Sequence, residues 1–241
     1  MASRFLRTAM MVTAAMLATG CAVYNGTTTD IPLFQEKGEL QLEGAFAPAG
    51  RAMLGIPLPY RVTASYSLTD RVGLSASVDA LRQTVQAMGG VYRPMDRHFV
   101  WEVYGGLALG RGKSTEPEKY SYYGHYAMPF VQVDCGWRDL TRWLHVDVAF
   151  AMRAGGIVGE TEYREYGSDQ YSEWVVQEER FKGVRPMLEP SVEVRFGWSD
   201  LKFNLRYYQI FVFGNGRNHP GLLQDIPTMK GGFGVGMSYR F

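Results

Sequence analysis

The stretch Lys230-Gly-Gly-Phe-Gly-Val-Gly-Met-Ser-Tyr-Arg-Phe241 decides the fold. Phe233, Val235, Met237, Tyr239 and Phe241 share one side of a period-two pattern, and Gly232, Gly234, Gly236, Ser238 and Arg240 share the other. Successive strand residues point to opposite faces, so this is a strand with one bulky apolar face and one small or polar face.

The pattern recurs upstream. Leu201, Phe203, Leu205, Tyr207, Phe211 and Phe213 alternate with Lys202, Asn204 and Arg206. Val184, Leu188, Val192, Val194 and Phe196 alternate with Arg185, Glu189, Glu193 and Arg195. Leu144, Val146, Val148, Phe150 and Met152 alternate with His145, Asp147 and Arg153, and Phe99, Trp101, Val103, Leu107 and Leu109 with Glu102, Tyr104 and glycines. Val72 to Val78, Val62 to Leu68 (with Arg61 beside it) and Leu40 to Phe46 (with Glu39, Gln41 and Glu43) complete the regular set, Asp79 closing its third segment. Two less regular segments, 83–93 and 124–136, bring the count to ten. Even numbers suit single-chain transmembrane barrels.

The connections differ in kind. Leu68-Thr-Asp70, Pro94-Met-Asp96, Arg138-Asp139-Leu140 and Ser199-Asp200 are tight. Links at 47–59, 111–123, 156–182 and 214–229 are long, with one short exception near Ala80–Gln83. Short turns on one side and long loops on the other are the barrel pattern, the short turns being periplasmic. Trp101, Trp137, Trp143 and Trp198 lie near short turns, only Trp174 in a long loop, which predicts an interfacial aromatic girdle on the short-turn side.

Periodicity alone does not say which face is outside, and a lipid-tethered, lipocalin-like soluble barrel stays open as an alternative. Bulk favours lipid: the apolar faces carry Phe, Trp, Tyr and Leu, and the polar faces Gly and Ser, which suits a narrow barrel with its large residues outside. No stretch after the start approaches the roughly 18 apolar residues of a membrane helix, so a membrane chain here must close as a barrel. The formal net charge of +1 gives no support to nucleic-acid binding.

The first residues run basic (Arg4, Arg7), apolar (Ala9–Ala18), small (Ala18-Thr19-Gly20), then Cys21, the layout of a secretory signal. This junction resembles the lipobox of bacterial lipoproteins, though Leu17 sits one place upstream of the usual leucine. The resemblance implies cleavage before Cys21 and acylation there, hence a signal peptide at 1–20, a lipidated N-terminus and linker at 21–37, and a barrel at 38–241. Two or three acyl chains anchor stably, each buried CH₂ contributing about 0.8 kcal/mol. Cys135 is then without a disulfide partner and reads as a small hydrophobe.

Asp30-Ile-Pro-Leu-Phe-Gln-Glu-Lys-Gly-Glu-Leu40 and Tyr66-Ser-Leu-Thr-Asp-Arg-Val-Gly-Leu74 resemble the opening and first tight turn of small outer-membrane β-barrel lipoproteins of Bacteroidota-type bacteria. The resemblance covers the N-terminal third by motif and implies a barrel lipoprotein; it carries over no catalytic or ligand residues. Together with Tyr239-x-Phe241, which looks like the C-terminal signal for barrel insertion, it makes the insertion machinery and outer-membrane lipid the expected partners. Both chain ends fall on the short-turn side, so the expected placement is an outer-membrane protein, lipid-anchored, with a periplasmic N-terminus.

The inward faces carry Glu39, Glu43, Asp79, Glu102, Asp147, Glu189 and Glu193 against Arg61, Arg153, Arg185, Arg195, Lys202 and Arg206. Isolated buried charge is costly, so these are expected to pair and occlude the lumen; a narrow solute channel is the alternative. A rim-sited hydrolase would draw on His125, His219, Asp169 and Asp225, which no spacing ties together, and His145 with Asp147 is assigned to the internal network. The loop 159–182 holds Glu160, Glu162, Glu165, Asp169, Glu173, Glu178 and Glu179 against Arg164, Arg180 and Lys182, with Tyr163, Tyr166, Tyr171 and Trp174 interleaved; it is a candidate surface for a partner or divalent cation. No cofactor and no enzyme activity are expected. The sequence predicts an all-β, closed antiparallel transmembrane barrel with a structural or surface-interaction role.

Overall fold

The computed structural model describes residues 29–46, 59–80, 83–116, 120–168, 173–213 and 229–241. The expected signal peptide at 1–20, Cys21, Asp169, His219 and Asp225 lie outside these residues. The strands are β1 (Leu40–Phe46), β2 (Pro59–Ser67), β3 (Val72–Asp79), β4 (Thr84–Pro94), β5 (Phe99–Glu116), β6 (Tyr120–Trp137), β7 (Asp147–Ser168), β8 (Glu173–Gly197), β9 (Leu201–Val212) and β10 (Met229–Arg240). Each pairs antiparallel with its sequence neighbours and β1 pairs with β10, so the sheet is a closed barrel. The stretch that opened the sequence reading makes the seam: Leu42 stands opposite Tyr239, and Phe241 N donates to Leu40 O at 2.9 Å. Closure leaves no edge along the shared height of the wall, where every backbone polar group needs a partner.

The apolar faces point outward. Val62, Leu74, Val85, Leu107, Val131, Phe150, Val158 and Phe233 are each more than 40% exposed, while the inward charged residues of the same strands are at most 7% exposed, apart from Arg240 at the end of β10. A water-soluble barrel has the reverse polarity, so the lipocalin-like alternative does not describe this wall.

Three expectations need correction. The links at 111–123 and 156–182 are mostly strand: β5 and β6 pair up to Glu116 and Tyr120, and β7 and β8 up to Ser168 and Glu173. Ladder hydrogen bonding continues there while the apolar alternation stops, because the outward face turns charged; Lys182–Glu160 (3.3 Å), Arg180–Glu162 (3.7 Å) and Arg164–Glu178 (3.9 Å) are successive cross-strand ion pairs. The connection after β6 is also longer than a tight turn. It runs from Arg138 to Val146, with Asp139 (φ 52°) and His145 (φ 40°) in left-handed conformations, and the turn at His145 is what delays β7 to Asp147. Finally, the interior is not small throughout. Tyr104, Met128, Phe130, Ile157, Met187 and Ile210 form a buried apolar cluster inside the barrel that runs from Tyr104, beside Gly73, towards the long-link side.

Candidate functional site

Residues 29–37, expected as an external linker, lie against the inside of the barrel. Thr29, Asp30, Ile31, Leu33 and Phe34 are 0–1% exposed. The segment turns at Leu33, whose φ is 55°, and at Gly38, whose φ is 88°. It makes no strand pairing, so its backbone groups need side-chain partners, and four consecutive carbonyls and three consecutive amides have them. Gln132 Nε2 donates to Asp30 O at 2.6 Å, Arg195 donates to Ile31 O, Arg240 Nη2 to Pro32 O at 3.3 Å and Arg138 Nη1 to Leu33 O at 3.1 Å. The amides of Leu33 and Phe34 donate to the two oxygens of Glu102 at 3.0 and 2.9 Å, and that of Gln35 to Glu39 at 3.4 Å.

Side chains fix the register. The Asp30 carboxylate takes an ion pair from Arg61 and hydrogen bonds from Thr63 Oγ1 (3.0 Å) and Gln86 Nε2 (2.9 Å), and Thr29 Oγ1 shares a hydrogen bond with Ser191 Oγ. Phe34 packs on Tyr92 with ring centroids 5.5 Å apart. Two glycines make room for the apolar residues: a Cβ at Gly73 would stand 2.6 Å from the Phe34 ring, and one at Gly136 would stand 2.9 Å from Leu33.

All thirteen charged residues assigned to the lumen from the sequence are buried. Arg206 bridges Glu193 (2.5 Å) and Glu43 (2.9 Å), Arg195 Nε donates to Glu193 at 2.8 Å, and Lys202 Nζ to Asp147 at 2.6 Å. Arg153 lies 3.9 Å from Glu189, donates to Gln132 Oε1 at 3.0 Å and stacks 4.1 Å over Phe130. Asp79 and Arg185 are 5% and 6% exposed on the same inner surface. The structure adds the buried Asp30, Asp134 and Arg138 and the part-buried Arg240 to this set. Arg240 was visible as a polar-face member of its strand, whereas Asp134 lies in a segment whose alternation is less regular. Asp30 was not visible, because it sits on a segment without periodicity.

His145 reaches Asp147 only indirectly: its Nδ1 lies 3.2 Å from Asp139 in the connection, and Asp139 accepts at 2.9 Å from the Lys202 Nζ that also donates to Asp147. His125 stands on the outer face of β6 opposite Arg111 and Glu160. Cys135 is half-buried opposite Trp101 and Phe150. Trp101 and Trp137 face outward near the short-turn ends of β5 and β6, Trp143 and Trp198 are exposed in short-turn connections, and Tyr239 packs on Phe241 at 4.5 Å. Among the described residues no cluster of His, Cys, Asp and Glu has the arrangement of a metal site.

Outside the wall, burial does not set the ionisation of two connection carboxylates. Asp96 is held below its ordinary value by the Phe99 and His98 amides, both 2.7 Å away. Desolvation opposes ionisation of Asp139, yet the hydrogen bond and charge of Lys202 bring it below its ordinary value.

No family model matches the chain. No curated protein matches it either. Among solved structures it is similar to Ail, the attachment invasion locus protein of Yersinia pestis, at 13% identity, TM-score 0.38, covering 85% of this chain and 99% of that one. It is also similar to a bacterial polysaccharide outer membrane secretin at 10% identity, TM-score 0.20, covering 86% of this chain and 99% of that one.

Proposed function

We propose that this chain is an outer-membrane barrel lipoprotein, acylated at Cys21, whose lumen is closed by its own segment 29–37 and which serves as a structural or surface-interaction protein rather than a pore. The observation that carries it is the run of four consecutive carbonyls, Asp30 to Leu33, each taken by a different lumen side chain. A conducting lumen leaves its lining groups to water. Here they are spent on a peptide backbone. The apolar outer surface supports placement in lipid, and the bacterial outer membrane is the setting in which closed barrels of this kind occur.

No catalytic chemistry is assigned. The charged outer face of β7 and β8 above the apolar belt is the surface offered to a partner at 159–182, although Arg164, Arg180 and Lys182 already neutralise part of its acidity. The test is electrical. Purified protein in planar bilayers is expected to give no single-channel current; stable unitary conductance from the intact chain would overturn closure and favour the narrow channel. Membrane placement is checked separately by recovery of a heat-modifiable band from an outer-membrane fraction.

A further inference from the structure

The threaded segment has a direction. At its lower end Ser67 Oγ donates to Glu36 O and Gly38 N donates to Ser67 O at 2.9 Å; Ser67 is the last residue of β2, at the short-turn rim. At its upper end Asp30 is held by Arg61 of β2 and Gln86 of β4. Arg61 is two residues from Pro59, where β2 begins, and Gln86 two residues from Thr84, where β4 begins. Both ends lie on the long-link side of the barrel, the second at that side's one short connection. Going back from Glu36 to Asp30, the chain therefore climbs nearly the full height of this wall.

We propose that the chain preceding Thr29 leaves the barrel through the long-link rim, so that Cys21 and the lipid it would carry lie on the same side as the projecting ends of β5–β8. This rests on the outer-membrane reading, under which that side is the cell surface; the periplasmic N-terminus expected from the sequence assumed that 22–37 hangs below the barrel. Residues 21–28 lie outside the described ones, but three physical limits bear on them. The eight of them reach at most about 26–29 Å when extended, enough to clear the low wall of β2–β4 from Asp30. A return down the lumen has no volume: Glu102, Gln132, Arg153, Glu189 and Arg195 are 0–1% exposed at the levels it would pass, and interiors packed to that density do not admit a second backbone with its polar groups unmet. A sideways exit is barred, because every neighbouring strand pair around the wall is hydrogen-bonded.

The test uses one added cysteine at a time in the full chain with Cys135→Ala, labelled by a membrane-impermeant maleimide on intact cells and again after permeabilising the outer membrane; the Cys135→Ala parent gives the background from any unacylated Cys21. Glu178→Cys marks the projecting strands and Arg142→Cys the short-turn side. Asn25→Cys is expected to label on intact cells together with Glu178→Cys, while Arg142→Cys labels only after permeabilisation. Asn25→Cys labelling together with Arg142→Cys overturns the proposal and leaves the barrel reading intact. If Glu178→Cys and Arg142→Cys exchange sides, the orientation reading falls, and the inference stands only if Asn25→Cys still follows Glu178→Cys. If Asn25→Cys reacts in neither state, an epitope inserted after Ala22 replaces it; antibody binding on intact cells supports the proposal, and binding only after permeabilisation overturns it.

Discussion

Glu102 shows how much a single lumen residue holds. Its two oxygens take the Leu33 and Phe34 amides, and Tyr104 Oη donates to it at 3.2 Å. Glu102→Ala leaves two buried amides without acceptors, a loss of about 2–5 kcal/mol at about 1–3 kcal/mol for each unmet group. A lowered urea midpoint, followed by tryptophan fluorescence in detergent, is the expected result, with Glu102→Gln intermediate; a midpoint equal to wild type would mean that the segment is not gripped there. The Gly73 seat makes a second residue-scale prediction. Gly73→Ala pushes a methyl carbon to 2.6 Å from Phe34, an overpacking cost of about 1–3 kcal/mol. Truncating Phe34 to Ala in the same chain is expected to remove most of that cost, and a double-mutant cycle reads the coupling. Asp96 predicts a pH effect with a definite sign. A carboxylate whose folded value lies below 3.8 stabilises its turn above that pH and loses the contribution as pH falls through the folded value. Protection of the His98 and Phe99 amides, with exchange corrected for its intrinsic pH dependence, is thus expected to fall on acidification below about pH 4, and Asp96→Asn is expected to abolish that acid step.

At the scale of elements, legibility followed chemical contrast. β10, β9 and the membrane-level parts of β5, β7 and β8 were readable because lipid on one side and charge on the other give period two its full amplitude. The upper parts of β5–β8 were taken for loops, because Glu160, Glu162 and Arg164 face outward into a polar setting and the contrast vanishes although the ladder continues. The thirteen lumen charges were legible for the same reason that β10 was. The threaded segment was not, since Ile31, Leu33 and Phe34 occupy no repeating pattern and their partners come from five different strands. The outward ion pairs imply that the β7–β8 projection stands largely on its own: exposed pairs are worth about 0–1 kcal/mol each. Replacing residues 163–179 by a short turn is expected to leave heat-modifiable mobility unchanged, and loss of the folded band would show that the projection supports closure. The opposite holds at the seam. Removing Phe241 deletes both its ring contact with Tyr239 and its amide bond to Leu40, so the amount of folded barrel in the outer-membrane fraction is expected to drop.

For the whole molecule, the plug and the wall are one polar system in which neither half is satisfied alone. Without Asp30, Arg61 loses its ion-pair partner, and without the 30–33 carbonyls the guanidinium groups of Arg138, Arg195 and Arg240 each lose an acceptor. Groups so freed must bind water, because unpaired buried charge is too costly to persist in a dry interior. The apolar cluster in the upper lumen projects from β4–β9 and not from β1–β3 or β10, so the water admitted has a polar route past it along Thr63, Ser65, Ser75 and Ser77, all of which face inward. Deleting residues 29–36 is therefore expected to convert a silent barrel into one with measurable unitary conductance in planar bilayers, while heat-modifiable mobility persists because the ten-strand ladder is untouched. If the deletion variant keeps its ladder and stays silent, the apolar cluster closes the lumen by itself and the segment's role is to satisfy the charges of the wall. If it no longer gives a folded band, the segment is a part of the core that the barrel needs in order to close.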